Sequence, residues 1–267
     1  MTFADDLTPA ALTTALRSQR VGRHYHYYPS TDSTNDIATD LARAGAPEGT
    51  LVLAEEQTRG RGRLGRRWLA PARSCLLLSL LLRASLPVGE AFRLTMLCSL
   101  AAAKAVRATT GLSPALKWPN DLLLGGKKLA GILSEASALA GTLEWAVVGI
   151  GLNVNFEPLA SPEIAATATS LQAALGRPVD RLPLLCAFLE EVENHYPLLW
   201  VADGAEDSLW GEWRGRLATL GRQVVVREGE RRVAGLAYDV GRDGSLLLRR
   251  DDGDEVAMAV GDVTLRG

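Results

Sequence analysis

Three cysteines, at 75, 98 and 186, and three histidines are all that 267 residues offer in thiol and imidazole. Thiols so few and so scattered exclude a disulfide scaffold and a thiolate zinc site. No carboxylate or cysteine completes a metal set around His24 and His26, which read as structural or surface residues. An excess of charge is also missing. The 29 basic and 31 acidic residues leave a net charge of −2, so nothing global points to nucleic acid. Long hydrophobic runs are absent too: the longest, residues 75–82 with Ser79 inside it, falls far short of a bilayer span. The first 24 residues carry Asp5 and Asp6 and no apolar stretch of signal-peptide type. A soluble, cytoplasmic protein is expected. No GxxxxGK(S/T) occurs, which excludes the phosphate loop of nucleotide triphosphatases.

What is present suffices for a large core. Hydrophobic residues make up 47% and charged residues 22%, which excludes disorder. Residues 33–44 place Ile37, Ala38, Leu41 and Ala42 at helical spacing, with Ser33 or Thr34 to cap and Gly45 to stop. Residues 50–54 read as a strand and 55–68 as a loop, followed by a buried strand over 74–82 and a helix over 90–110. Segments 115–118, 121–124 and 128–134, with two glycines at 125–126, fit strands and a hairpin. Residues 144–154 form a further strand whose Gly149 and Gly151 share one face and leave it bare for a ligand or another backbone. Helices are expected over 165–175 and 183–199, while 208–217 fits no single template. After about residue 218 the texture changes to short strands at 223–227, 231–239, 245–250 and 255–259, which suggests a small antiparallel barrel docked on the larger unit. The expectation is an α+β fold, a mixed or antiparallel sheet backed by helices over residues 1–218, with a small β unit over 219–267.

The strongest chemical signal is the run RGRGRLGRR at 59–67, five arginines among three glycines. Glycines let backbone amides converge on an anion, and arginines add forked charged donors. A solvated basic loop or an RNA-contacting segment would show the same local pattern, but this run follows a strand and closes on Trp68, able to stack or to pack. Lys117-Trp118-Pro119-Asn120-Asp121 offers a point charge for phosphate in Lys117 and a magnesium ligand in Asp121, or else a salt-bridged turn. Lys127 and Lys128 enter an apolar strand at a hairpin end and point either to solvent or into a cavity. Gln57, Asn153 and Asn155 are ligand contacts or turn-formers, and Cys75 is most simply a buried apolar residue. Without a nucleophile or general-base dyad, this set suits phosphoryl or adenylyl transfer, where positioning and charge neutralisation do most of the catalysis.

Ser33-Thr34-Asn35, Glu56 to Arg63 (EQTRGRGR), Lys117 to Asp121 (KWPND), Lys128 to Leu133 (KLAGIL) and Gly149 to Asn155 (GIGLNVN) together resemble, in order and spacing, the biotin–protein ligase family. The likeness covers about residues 25–267. It implies a catalytic domain like that of class II tRNA synthetases with a C-terminal SH3-like barrel, ATP and biotin as substrates, and Mg2+. Biotin would be adenylated to biotinyl-5′-AMP and passed to one lysine of a biotin carboxyl carrier protein. Carried over to this sequence, Ser33, Thr34, Asn35 and Gln57 would meet biotin or its near surroundings, with its fused ring against Gly149 and Gly151. Gly60, Arg61, Gly62, Arg63 and Trp68 would form the loop over carboxylate and phosphate. Lys128, beside Gly131, would be the principal catalytic lysine; Lys117 would steady the triphosphate, Asp121 the metal, and Asn153 would assist near the nucleotide. The roughly 24 residues before the likeness begins are too few for the winged helix of repressor members, so no DNA partner, no membrane and no repressor role are expected; a homodimer is compatible with the family. The rivals are a lipoate or octanoate ligase or transferase of the same fold, and a non-enzymatic RNA-binding module using the arginine loop.

Overall fold

The computed structural model describes residues 7–158, 163–200 and 209–265, and every statement below concerns these. Asp5, Asp6, Ser208, the start of the first expected unit and the end of the second lie outside them. Two sheets organise the chain. The first has seven strands: β1 (Tyr25–Tyr28), β2 (Leu51–Ala54), β3 (Cys75–Leu82), β4 (Ala115–Lys117), β5 (Asp121–Leu124), β6 (Lys127–Leu139) and β7 (Thr142–Asn153), in the spatial order β1-β2-β3-β7-β6-β5-β4. Only β1 and β2 run parallel; the other neighbours are antiparallel. The mixed sheet is the one the sequence predicts.

Beside the central strand β7 lies β3, and all eight residues of β3 are buried. A strand covered on both faces has no polar alternation to show, which is why this one reads as a leucine run. Leu76, Leu78, Leu80 and Leu82 face the main core with helices α3 (Phe92–Thr110) and α5 (Arg181–His195). On the opposite face Leu81 joins Val52 and Val147 beneath Ala38 and Ala42 of helix α2 (Thr34–Arg43). Small residues on α2 let it lie close to the sheet, so its N-terminus reaches the sheet's middle. Gly45 follows with φ +84°, ending the helix as expected.

The second sheet holds β8 (Arg222–Glu228), β9 (Arg231–Val240), β10 (Leu246–Arg249), β11 (Glu255–Met258) and β12 (Asp262–Leu265), antiparallel in the order β11-β10-β9-β8-β12. Strand β12 is too short and too mixed to stand out in the sequence. Trp118 bolts this sheet to the first: its indole N–H donates to Gly244 O at 2.8 Å and its backbone N–H to Thr219 Oγ1 at 3.0 Å. Helix α6 (Leu209–Gly215), the stretch that fitted no template, adds Trp213 edge-on to Phe92 at 5.3 Å between ring centres. Val224, Val226, Leu246 and Leu248 then continue the core of the larger sheet.

One expectation needs correction, and one element had no reading from the sequence. Residues 165–170 are not helical; only α4 (Leu171–Leu175) is, capped by Ser170 Oγ accepting from Ala173 N. Ala168 instead pairs in parallel with Lys128, whose N–H donates to Thr167 O at 2.7 Å, so sheet-like bonds outcompete the alanines' helix preference. A short N-terminal helix, α1 (Pro9–Ala15), was not legible. It docks Leu12 and Leu16 in the core, and the chain after it is pinned by Glu193, whose carboxylate accepts from the backbone N–H groups of Gln19, Arg20 and Val21 at 2.8–3.0 Å.

Partial burial opposes ionisation of Glu193, but those donors outweigh it and hold its carboxyl below the ordinary value. The stabilisation is therefore complete above the unfolded value and fades as pH falls through the lowered native one. Glu193→Gln should cost about 1–3 kcal/mol at pH 7. Denaturant titration of parent and variant checks this, with the gap between them closing as pH drops below the ordinary carboxyl value of 4.5.

Candidate active site

The five motifs meet in one cavity of about 120 Å³ on the α2 side of the first sheet. Its lining includes Ser33, Thr34, Asn35, Gln57, Arg61, Gly62, Arg63, Trp68, Asp121, Lys128, Gly131, Gly149 and Gly151, all named from the sequence. Three residues to which the family resemblance gives a role do not line it. Gly60 sits in the stem of the arginine hairpin, where its carbonyl accepts from Trp68 N at 2.9 Å. Lys117 is half-buried at the end of β4, opposite Asp121 in the ladder. Asn153 is buried, its amide donating to Thr169 O at 2.9 Å and approaching Lys128 O at 3.5 Å. In this structure it therefore supports the backbone of Lys128.

One end of the cavity is a polar network around the start of α2. Gln57 Oε1 accepts from Thr34 N at 2.8 Å and from Thr34 Oγ1 at 3.2 Å. Ser79 Oγ, fully buried on β3, lies 2.7 Å from Thr34 Oγ1 and donates to Asn35 Oδ1 at 2.6 Å. Asn35 Nδ2 in turn donates to Glu135 at 2.7 Å. The sequence reading missed Ser79 and Glu135. The signal for Ser79 was there: a lone hydroxyl inside a strand buried on both faces needs a partner.

The floor is β7. Gly149 and Gly151 do share a face, but that face is covered. A Cβ on Gly149 would fall 2.1 Å from Asn35 Oδ1, and one on Gly151 would fall 2.4 Å from the Trp68 indole. The ring extends over Gly131, the partner of Gly151 on β6, with its Nε1 buried and without a hydrogen-bond partner. The glycines therefore admit an aromatic ring directly onto the sheet.

Basic groups rim this floor. A one-residue bulge at Leu129 interrupts the β5–β6 ladder: Leu122 pairs with Ala130 while Leu123 pairs with Lys128. Strict alternation would put Lys128 and Gly131 on opposite faces; the bulge puts both on the cavity side. Lys128 Nζ lies 2.7 Å from Asp121 Oδ1 and 5.5 Å from the Trp68 ring centre. That oxygen is buried and has no aligned hydrogen bond, so the contact is a charge pair alone. Burial pushes the Lys117 amine below its ordinary value, Asp121 pulls it back, and Lys128 and Arg66 add to the push. Arg63 is lowered for the same first reason, by burial.

The arginine run folds as a tight hairpin, with Arg61 bridged to Arg67 and Gly62 N donating to Arg66 O at 2.7 Å. Carboxylates hold its side chains: Arg59 with Asp32, Arg61 with Asp36 at 2.6 Å and Glu135 at 2.8 Å, and Arg66 with Asp262. Arg63 donates to Asn120 Oδ1 at 3.4 Å and to Gly261 O at 3.2 Å. The second sheet thus delivers Gly261 to the hairpin and Asp262 to the cavity wall, contacts with no signature in the sequence. No group of three His, Cys, Asp or Glu side chains suited to a metal occurs among the described residues, so Asp121 belongs to no such group.

Fold and site together define an α+β protein whose cavity, between a glycine-bearing sheet and a basic hairpin, has the charge to suit an anionic ligand. The chain matches the biotin/lipoate A/B protein ligase family over residues 27–153 and the biotin protein ligase C-terminal domain over residues 219–266. It is 35% identical to the biotin–(acetyl-CoA-carboxylase) ligase of Mycobacterium tuberculosis, covering 98% of each chain. It is 33% identical to the bifunctional ligase/repressor BirA of Bacillus subtilis, over 92% of this chain and 76% of that one. Among solved structures, the Aquifex aeolicus biotin protein ligase in complex with biotin and ATP superposes with a TM-score of 0.73 at 29% identity, covering 91% of this chain and 99% of that one. The chain belongs to the biotin/lipoate protein ligase family.

The contact between Trp68 and the glycine floor is directly testable. Gly151→Ala should cost about 1–3 kcal/mol by overpacking, and most of that cost should vanish when Trp68 is already alanine. A double-mutant cycle by thermal or denaturant unfolding measures the coupling; additive costs would place the ring elsewhere.

Proposed function

We propose that this protein is a biotin protein ligase, which adenylates biotin with ATP and passes the biotinyl group to a lysine of a biotin carboxyl carrier protein. The observation that carries it is the meeting of five separated motifs around one cavity, in a chain of this family. An RNA-binding module built on the arginine loop would leave the convergence of Lys128, Asp121 and the glycine-floored strand on that same cavity without a use.

Residues 1–218 form the substrate-binding unit in this reading, and 219–267 a small unit that completes it through Gly261 and Asp262. In the first step a biotin carboxylate oxygen bonds to the α-phosphorus of ATP, and pyrophosphate leaves as the phosphoanhydride bond breaks. Negative charge gathers between carboxylate and phosphate, where Lys128 stands. An anionic substrate draws Lys128 from Asp121, since both compete for one ammonium group. Arg61 and Arg63 hold the carboxylate and phosphate as forked donors, and Lys117 steadies the departing pyrophosphate. Ser33, Thr34, Asn35 and Gln57 match the polar ureido end of biotin. In the second step the amine of the carrier lysine attacks the acyl carbon, loses a proton and releases AMP. The mixed anhydride is labile in water, so the hairpin's task is to shut solvent out.

Asp121 fits magnesium: its buried oxygen lacks an aligned donor, and this cation is commonly held by one carboxylate together with substrate phosphates. The metal would supply charge neutralisation on the triphosphate. No helix among the described residues is long and apolar enough to cross a membrane, and the cytoplasm, where the carrier and ATP are met, is the proposed site of action.

ATP–pyrophosphate exchange tests the proposal, with biotin, lipoate, octanoate or no acid added and magnesium present. Exchange driven by biotin alone is expected; exchange with lipoate instead would move the substrate, and none with any acid would overturn the enzyme reading. Lys128→Ala should slow adenylate formation about 10²–10³-fold while the protein stays folded. Arg63→Ala should instead speed the escape of biotinyl-AMP, measured by its release in a rapid-filtration assay.

A further inference from the structure

The connection from β2 to β3, residues 55–74, carries the arginine hairpin and is held in two different ways. Its middle is fastened by ion pairs that water can reach. The side chains of Arg59 and Asp32 are 76% and 53% exposed, those of Arg66 and Asp262 59% and 38%. Such exposed pairs contribute little to stability and are screened by salt. An anionic substrate can replace them.

The two ends are fastened from behind, by one side chain from a distant helix. Arg181 opens α5, and its guanidinium is 1% exposed. It donates to Glu55 Oε2 at 2.7 Å and to Glu55 Oε1 at 3.4 Å, a forked contact with a carboxylate that is itself 4% exposed. The nitrogen that bonds Oε2 also donates to the carbonyl oxygen of Cys75 at 3.0 Å. Glu55 is the first residue after β2 and Cys75 the first of β3. One guanidinium therefore grips both points where the loop leaves the sheet. The same mouth is closed by Arg73 N donating to Glu55 O at 2.9 Å.

A buried ion pair is a poor way to gain stability, because two well-packed apolar side chains often do as well or better. What it supplies here is direction. A planar fork matched to a carboxylate fixes Glu55 in orientation as well as distance, and the additional bond fixes Cys75 relative to it. Two residues beyond Glu55 stands Gln57, whose Oε1 receives Thr34; seven residues before Cys75 stands Trp68 on the glycine floor.

We propose that Arg181, through Glu55 and the Cys75 carbonyl, is the positioning residue that fixes both hinge points of the arginine hairpin, so that the hairpin's middle opens and closes over the adenylate while its ends stay in place. This rests on the ligase reading for its role in retention, but the clamp on the loop exists without substrate.

The test replaces the pair by apolar side chains, Glu55→Met with Arg181→Met, a change that buried pairs commonly tolerate; Glu55→Gln, which keeps the side chain's size, is the second variant. Thermal melts establish that each is folded. Two rates are then read: tryptic cleavage after Arg59 to Arg67 in the ligand-free protein, and escape of biotinyl-AMP from the preloaded protein. Both should rise at least five-fold in the folded variants, with cleavage in the parent suppressed by biotin and ATP. A merely structural pair would shift the melting temperature and leave both rates of the folded protein unchanged, which would overturn the proposal. If the double variant does not fold, Glu55→Gln decides by the same rates. A parent that forms no adenylate would refute the ligase reading, while the ligand-free cleavage rates would still decide the clamp.

Discussion

Charge balance within the site is the constraint on which the rest of this structure depends. Five arginines within nine residues and two lysines nearby would repel one another strongly if left alone in one hollow. The chain resolves this with carboxylates of its own: Asp121 on Lys128, Asp36 and Glu135 on Arg61, Asp32 on Arg59, Asp262 on Arg66. In the proposed reaction, a substrate carrying a carboxylate or a triphosphate would enter by exchange, anion for anion. The site can be strongly basic toward its ligands while the whole protein stays slightly acidic.

That exchange dictates where the carboxylates come from. Asp32 and Asp36 flank the start of α2, Asp121 closes the turn after β4, Glu135 lies on β6, and Asp262 opens β12. These are four different stretches of chain. The hairpin is thus tied to α2, to the first sheet and to the second sheet at once, and a ligand that takes over its arginines loosens all three ties together. The second sheet is a part of the site in this sense, since Trp118 anchors it beside the very turn that carries Asn120 and Asp121.

The floor obeys a complementary rule. Where the rim needs movable charge, the floor needs absence of bulk. Gly131 and Gly151, paired across β6 and β7, let an indole ring lie on the backbone itself, and Gly149 does the same for the Asn35 amide. Neither contact survives a methyl group. The glycines were legible as a bare face. What covers them was not, because Trp68 and Asn35 arrive from elements more than 60 residues away in sequence.

By itself the sequence determined everything that local pattern controls. The helical spacing of residues 33–44, the apolar run of 75–82, the glycine turn at 125–126 and the family motifs placed the main elements and most of the cavity lining. They did so because burial and turn chemistry act between near neighbours. Tertiary structure alone decided the rest: the bulge that turns Lys128 to the cavity, the sheet-like pairing that unwinds residues 165–170, the burial of Asn153, and the arrival of Asp262 and Arg181 at the loop. Each of these depends on which distant backbone or charge is close enough to compete, and that distance exists only once the two sheets have folded against each other.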